Sequence, residues 1–127
     1  MMARPFLLVI EDDDSIALSL KVFFEGRGCD VAAAPTGAAG MAFCRKEIPD
    51  TVILDLRLPD IYGIDVLQAI KNDYPEISVI VMTGYGEVDN YMVAMNAGAA
   101  EYLNKPVRSE ELLAVIENCL HPSNPNP

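Results

Sequence analysis

Short apolar runs alternate along the chain with longer segments of mixed polarity. The runs are rich in β-branched residues and are apolar on both faces of an extended chain, which is typical of strands covered by helices on both sides. We predict strands at 6–10, 29–33, 51–54, 77–81 and 100–103, and the second and fifth carry the weakest pattern.

The segments between these runs carry the residues that begin and end helices. Capping side chains, glycines and prolines predict helices from residue 14 or 15 to residue 26 or 28, from 36 to before 49, from about 64 to 72, and from about 88 to 97. The fifth helix has the clearest period. Its buried stripe is predicted from Leu112, Val115, Ile116, Cys119 and Leu120, which recur at helical spacing.

Five strand–helix units in strict alternation predict one parallel sheet with right-handed crossovers. We therefore expect an α/β fold, a flavodoxin-like (βα)5 three-layer sandwich with strand order 2-1-3-4-5. In that order, ligands bind at the carboxyl ends of strands 1 and 3. Residues 1–120 form one predicted domain, and the proline-punctuated residues 121–127 are expected to be a disordered tail or the start of a linker.

Composition narrows the classes of function. The chain has 127 residues, 51% of them hydrophobic, which is enough for a core without disulfides. With 9 basic and 19 acidic residues, its formal charge is −10, which argues against direct binding to nucleic acid or to an anionic membrane. Three widely spaced cysteines and one histidine argue against a zinc site. They favour reduced thiols, and we expect a cytoplasmic protein without a membrane span.

Acidic residues follow two strands that are neighbours in the predicted sheet. Glu11 and Asp12 follow strand 1, and Asp55 follows strand 3. Two carboxylates ~4 Å apart repel each other by about 4 kcal/mol at an effective dielectric constant near 20, so three together require a cation. Oxygen ligands favour Mg²⁺, with Mn²⁺ also possible. The next two acids, Asp13 and Asp14, are explained instead as the cap and first turn of a helix.

Two further polar residues end strands at the same edge. Thr83 follows strand 4, and Lys105 follows strand 5. A lysine at this edge faces the acids as a point cation, and a threonine hydroxyl can donate to a phosphoryl oxygen. Each residue alone has an ordinary structural explanation. Lys105 can be a solvated loop lysine, and Thr83 can be a helix cap. Their convergence with the three acids indicates a site for a metal ion and a phosphoryl group.

These residues lie in motifs that resemble the response-regulator receiver domains of two-component signalling, of the chemotaxis and nitrogen-regulation type. The resemblance covers about residues 5–120. It rests on residues 9–13 (VIEDD), 55–60 (DLRLPD) with Gly63, 81–84 (VMTG) and 98–106 (GAAEYLNKP), in the order and spacing of that family.

The resemblance implies a phosphoacceptor site that takes a phosphoryl group from a histidine of a sensor kinase or phosphotransfer protein. Asp55 is then the phosphoacceptor. The implied Mg²⁺ ligands are Asp12, Asp55 and the backbone carbonyl of Arg57, with Glu11 acting through a water. Lys105 and Thr83 contact the phosphoryl oxygens, and the Lys105–Pro106 peptide is cis.

The resemblance also implies a conformational output rather than an enzyme activity on other substrates. Thr83 and the aromatic ring of Tyr102 are then the switch residues. They repack the face formed by the fourth helix, fifth strand and fifth helix, which can bind a partner or a second copy of the chain after phosphorylation. The apolar residues of the fourth helix, such as Met92, are too many for one buried stripe, which favours such a surface.

Three alternatives remain at this point. A haloacid-dehalogenase-like phosphatase also uses an aspartate nucleophile, but it places a second acid two residues later, where this chain has Arg57. A flavin carrier of the same fold needs a phosphate cradle after strand 1, where Glu11 and Asp12 would repel a phosphate. An interaction scaffold that works without phosphorylation is disfavoured because Asp55 and Lys105 are both retained.

Overall fold

Five parallel strands form a single sheet in the computed structural model, which describes residues 4–84 and 90–121. The strands are β1 (Phe6–Ile10), β2 (Asp30–Ala34), β3 (Thr51–Leu54), β4 (Ser78–Thr83) and β5 (Glu101–Asn104). The helices are α1 (Asp14–Glu25), α2 (Gly37–Lys46), α3 (Gly63–Asp73), α4 (Asn90–Asn96) and α5 (Ser109–Leu120). The strand order is β2-β1-β3-β4-β5, which confirms the predicted (βα)5 fold.

Alternate residues of the strands pack into two cores, one on each face of the sheet. Leu8 and Ile10 of β1 face the core formed with α2, α3 and α4. Leu7 and Val9 face the core formed with α1 and α5. The strands are buried on both faces because helices cover both sides, which explains why their sequences are apolar throughout rather than alternating.

The bounds of β1 and β3 are as predicted, and most other element boundaries differ from the prediction by one or two residues. β2 and β4 begin one residue later than predicted, because the amides of Cys29 and Ile77 bond to Phe24 and Tyr74 in the preceding turns. β5 also begins one residue later. β4 runs on to Thr83, which pairs with Asn104 of β5. The predicted start of the fourth helix and residues 122–127 of the predicted tail lie outside the described residues.

The starts of α1 and α2 follow the capping chemistry of the sequence. The Asp13 carboxylate accepts hydrogen bonds from the amides of Ser15 and Ile16 at 2.9 and 3.1 Å, as expected for a helix cap. In α5, Leu112 and Ile116 are buried, and the other three predicted stripe residues are partly buried against the same core.

Among residues 4–84 and 90–121, no helix combines the length and the hydropathy of a membrane span.

Candidate functional site

The carboxyl ends of β1 and β3 bring three acids together. Ile10 and Leu54 are partners in register, and the amide of Asp55 donates to the carbonyl of Ile10 at 3.0 Å. Carboxylate oxygens of Glu11, Asp12 and Asp55 all lie within 4.8 Å of one another. Glu11 and Asp55 are buried, whereas Asp12 is exposed. The predicted cluster therefore exists, and one of its members opens to solvent.

Lys105 provides a positive charge beside this cluster. Its Nζ donates to Glu11 Oε1 at 2.6 Å and to Asp55 Oδ2 at 3.1 Å. The backbone amide of Lys105 donates to the carbonyl of Thr83 at 2.6 Å, so β4 positions the residue that carries the ammonium. The peptide between Lys105 and Pro106 is cis, as predicted.

The buried charges alter the acidity of the groups that carry them. Burial raises the pKa of Glu11 to about 7, against the lowering effect of its hydrogen bond from Lys105. Burial also disfavours the charged form of Lys105. The hydrogen bonds to Glu11 and Asp55 outweigh that effect and raise the pKa of the ammonium. The lysine is therefore a stable cation, and Glu11 is close to its titration point at neutral pH.

The loop after β3 folds back onto the phosphoacceptor candidate. The amide of Arg57 donates to Asp55 Oδ1 at 3.0 Å, and Arg57 pairs with Tyr62 in an isolated antiparallel bridge. The amide of Gly63 donates to the carbonyl of Leu56 at 2.9 Å. A Cβ at Gly63 would lie 2.4 Å from Leu56 Cα, so this approach of two backbone segments requires glycine.

Thr83 places a hydroxyl in the interior without a hydrogen-bond partner among the described residues. The residue is fully buried, and its Oγ1 is one of two buried side-chain oxygens in that state. Tyr102 is only partly buried, and its ring meets that of Tyr91 edge to face, with centroids 5.5 Å apart. The two predicted switch residues thus lie on adjacent strands, because Thr83 ends β4 and Tyr102 belongs to β5.

The donor set fits a small divalent cation. The site offers oxygens from three carboxylates, and magnesium is bound in proteins by such oxygens together with waters. The exposure of Asp12 leaves one side open for waters and for a phosphoryl group. The described part of the cluster contains neither a thiol nor an imidazole, which zinc and other softer metals prefer.

One functional candidate was not recognised from the sequence. Asp60 carries no predicted role, although it belongs to the DLRLPD motif. In the structure its carboxylate accepts hydrogen bonds from the amides of Gly37 and Ala38, at the start of α2. An aspartate beside a proline in a loop is a common turn residue, so local sequence alone does not reveal a contact to another helix.

Comparison with known proteins identifies one family and several sequence relatives. The family model described as response regulator receiver domain matches residues 7–117. The luminescence regulatory protein LuxO of Vibrio campbellii is 34% identical over 112 residues, which cover 88% of this chain and 25% of that protein. The acid tolerance regulatory protein ActR of Rhizobium meliloti is 35% identical over 124 residues, which cover 94% of this chain and 64% of that protein. The chain thus spans between a quarter and two thirds of the length of these relatives.

Solved structures agree with these sequence matches. A CheY-like receiver domain protein from Methanospirillum hungatei superimposes with a TM-score of 0.90 at 32% identity, covering 93% of this chain and 94% of the other. A receiver domain protein from Clostridium thermocellum superimposes with a TM-score of 0.87 at 36% identity, covering 91% and 94% of the two chains.

Proposed function

The chain belongs to the response regulator receiver domain family of two-component systems, and from that membership we propose that Asp55 accepts a phosphoryl group from a histidine of a sensor kinase or phosphotransfer protein. The observation that carries the proposal is the contact of one ammonium with two buried acids. Lys105 Nζ lies 3.1 Å from Asp55 Oδ2 and 2.6 Å from Glu11 Oε1. A cation in this position can neutralise a phosphoryl group on Asp55.

The transfer step requires no general base. An ionised Asp55 oxygen forms the new O–P bond while the N–P bond of the phosphohistidine breaks. The electron pair of the broken bond stays on the imidazole nitrogen. Phosphoryl transfer depends mainly on alignment and on neutralisation of charge. The hydrogen bond from the Arg57 amide to Asp55 Oδ1 supports this role, because it orients the carboxylate and leaves the other oxygen towards Lys105.

We assign the metal site to Asp12, Asp55 and the carbonyl of Arg57, with Glu11 acting through a water. Mg²⁺, or Mn²⁺ in its place, supplies neutralisation of the charge on the phosphoryl oxygens. The carboxylate oxygens within 4.8 Å of one another support the assignment of the three acids. Asp12 is exposed and can therefore exchange its solvent contacts for a ligand without disturbing the core.

The output of the proposed reaction is a change of surface. Thr83 Oγ1 has no partner in the described structure, and a phosphoryl oxygen on Asp55 gives it an acceptor. Movement of Thr83 permits Tyr102 to turn inward from its place against Tyr91. We propose that the face formed by α4, β5 and α5 then binds a partner or a second copy of the chain. Three exposed apolar residues in succession on α4, Tyr91, Met92 and Val93, support a binding role for this face.

We propose that the kinase or phosphotransfer protein docks beside Lys105. A cavity of about 560 Å³ lies between α1 and the loop after β5, and Lys105 lines it. Its other walls include Ile16, Leu20 and Met82, so an apolar side chain of the protein that carries the phosphohistidine can enter there. Because all three cysteines are free thiols, as is usual in a reducing compartment, we propose a cytoplasmic location. We propose no direct contact of this domain with nucleic acid or membrane.

The phosphatase alternative has no supporting geometry. Position 57, two residues after Asp55, carries an exposed arginine, and the haloacid-dehalogenase mechanism needs an acid there. Receiver domains act as signalling switches, and we propose that this chain catalyses only its own phosphorylation and dephosphorylation. A scaffold independent of phosphorylation would gain nothing from the Lys105–Asp55 pair, in which Asp55 is buried and Lys105 partly buried, because an ion pair removed from water is costly to keep.

The test is intact-mass spectrometry after incubation with acetyl phosphate and Mg²⁺. We expect the wild type to gain one phosphate, Asp55→Asn to gain none, and EDTA to abolish the gain. Asp65→Asn serves as the matched control, because it removes an exposed carboxylate from the first turn of α3. A phosphate on Asp55→Asn would place the acceptor elsewhere, and phosphorylation in EDTA would refute the metal requirement.

A further inference from the structure

The loop between β3 and α3 is fastened to a different helix through Asp60. Its Oδ1 accepts from the amide of Gly37 at 2.9 Å, and its Oδ2 accepts from the amide of Ala38 at 2.9 Å. The next amide, that of Ala39, donates to Thr36 Oγ1 at 3.0 Å. The free amides at the start of α2 are thus satisfied by two sources, a local side chain and a carboxylate from a distant loop.

The contact is close and depends on a glycine. A Cβ at Gly37 would lie 2.9 Å from Val66 Cγ2 of α3 and 3.3 Å from Ile61 Cβ of the loop, so a side chain there would push both away from α2. The hydrogen bonds from Ala38 and Gly37 lower the pKa of Asp60, and the carboxylate stays charged at neutral pH. A charged acceptor at a helix start makes a stronger hydrogen bond than a neutral one.

The same loop carries two of the proposed metal ligands. Asp55 is its first residue, because β3 ends at Leu54, and Arg57 lies two residues further on. The base of the loop is held by the Arg57–Tyr62 bridge and by the hydrogen bond from Gly63 to Leu56. Asp60 holds its outer part. A side-chain ligand can adjust by rotating its χ angles, whereas a backbone carbonyl goes only where its loop places it.

We propose that Asp60 is a positioning residue for the cation site, which it serves by clamping the β3–α3 loop to α2 so that the Arg57 carbonyl and Asp55 keep their mutual geometry. The inference rests on the proposed function, since it concerns the same metal site. Mg²⁺ demands near-ideal octahedral geometry, so a loosened loop weakens its binding. Groups that hold metal ligands in place typically contribute 10- to 100-fold to metal affinity.

The experiment compares two variants that each lose hydrogen bonds at the start of α2. Asp60→Ala removes two hydrogen bonds to α2 and releases the loop, while Thr36→Ala removes one hydrogen bond to α2 and leaves the loop fastened. Calorimetric titration with Mg²⁺ measures the affinity of each unphosphorylated protein, and thermal unfolding measures its stability. Asp65→Asn controls for the loss of one negative charge. Asp65 is also exposed and lies near Asp60 in the chain, in the first turn of α3.

We expect Asp60→Ala to weaken Mg²⁺ binding by about 10-fold, a loss of the size found for other groups that support metal ligands. Thr36→Ala and Asp65→Asn are expected to bind Mg²⁺ as the wild type does, although Thr36→Ala unfolds at a lower temperature. Asp60→Asn keeps one acceptor oxygen and is expected to recover part of the affinity. It also serves as the test variant if the alanine variant fails to fold. At saturating Mg²⁺, the phosphorylation rate of both Asp60 variants returns towards that of the wild type.

Two results would overturn this inference and leave the proposed function intact. One is an unchanged Mg²⁺ affinity in both folded Asp60 variants. The other is an equal loss of affinity in Thr36→Ala, which would mean that general loosening of α2 is responsible. The wild type is therefore measured first. If it neither binds Mg²⁺ nor takes a phosphate on Asp55, the proposed function itself fails.

Discussion

Two buried threonine hydroxyls lack hydrogen-bond partners in the described residues, and only one of them lies at the site. Thr83 ends β4 beside Lys105. Thr51 is the first residue of β3, so it lies at the amino ends of the strands, away from the site. An unsatisfied buried hydroxyl costs free energy that an apolar group of the same shape avoids. The cost at Thr83 is consistent with a group kept for a second conformation in which an acceptor is present.

We predict that Thr83→Val and Thr51→Val each raise the free energy of unfolding by about 1 kcal/mol, because both replace an unpaired hydroxyl with a methyl group. Denaturant unfolding measures this gain. Amide chemical shifts of α4, β5 and α5, recorded before and after phosphorylation, measure the switch. We expect Thr51→Val to keep the wild-type shift changes and Thr83→Val to lose most of them. Unaltered shift changes in Thr83→Val would show that this hydroxyl does not carry the signal.

Glu11 supplies a prediction about pH in the metal-free protein. Burial raises its pKa from 4.5 to about 7, so between these values the folded state binds a proton that the unfolded state has released. The free energy of unfolding therefore falls as pH rises from about 4.5 to 7 through this group. We expect Glu11→Gln to remove that fall when stability is measured in EDTA across this range. If the wild type and Glu11→Gln show parallel profiles, another group controls the dependence.

The acids of the site and the approach of Lys105 to them could be predicted at the level of single residues, whereas the individual contacts and the acidity of these groups could not. Parallel strands place their carboxyl ends at one edge, so residues 11, 12 and 55 had to meet once the strand order was inferred. The ion pair of Lys105 with Glu11 spans 94 positions of the chain and depends on side-chain geometry. The raised pKa of Glu11 follows from burial, which motif spacing does not report.

The turn from β3 into α3 is closely packed against the backbone of the site. A Cβ on Gly63 would lie 2.4 Å from Leu56 Cα and 2.8 Å from the carbonyl oxygen of Asp55. Both atoms belong to the backbone and cannot rotate away. The start of α3 therefore packs directly against the backbone of Asp55, the proposed phosphoacceptor.

We predict that Gly63→Ala lowers the free energy of unfolding by about 2 kcal/mol, a typical cost of overpacking. It also slows phosphorylation from acetyl phosphate, because the clash displaces the Asp55 backbone. Gly26→Ala is the matched control, since a Cβ there meets its nearest atom, the Val22 oxygen, at an ordinary 3.4 Å and its φ of −65° suits alanine. A Gly63→Ala protein of wild-type stability and rate would mean that the loop yields easily.

The outer face of α4 gives a prediction about association. Met92 is 61% exposed beside Tyr91 and Val93, which are each 46% exposed. We expect Met92→Ser to weaken any phosphorylation-dependent self-association, measured by sedimentation of the phosphorylated protein. Leu18→Ser is the control, because Leu18 is equally exposed at 61% but belongs to α1. Unchanged sedimentation of phosphorylated Met92→Ser relative to the wild type would remove α4 from the interface.

Element type was predictable because the apolar pattern differs between buried strands and helices, whereas exact ends were not. The late starts of β2 and β4 come from turn hydrogen bonds of Cys29 and Ile77, which resemble strand residues in composition. The exposed apolar residues of α1 were equally hard to identify, although those of α4 were expected from their number. Leu18 and Val22 of α1 are both more than 60% exposed, although their type alone would place them in a core.

At the scale of the whole molecule, stability and function occupy different parts of the fold. The two cores hold the sheet between its helices, and the polar site lies at one edge of that sheet. The chain carries a formal charge of −10, and three of its acids converge where Lys105 is the neighbouring cation. A bound divalent cation therefore relieves repulsion in the folded state that the unfolded chain largely lacks, so binding is linked to global stability.

We predict that Mg²⁺ at about 100 times its dissociation constant raises the free energy of unfolding of the wild type by about 2.7 kcal/mol, the value expected for a ligand bound only by the folded state. Asp12→Asn is expected to lose most of this gain while remaining at least as stable without metal, because an exposed repelling charge is removed from the cluster. Asp14→Asn is the control, since Asp14 is an exposed acid of the first turn of α1 and lies outside the three converging carboxylates. It is expected to keep the full gain. Denaturant unfolding with and without Mg²⁺ measures both, and an equal gain in Asp12→Asn and the wild type would mean that the cation binds elsewhere.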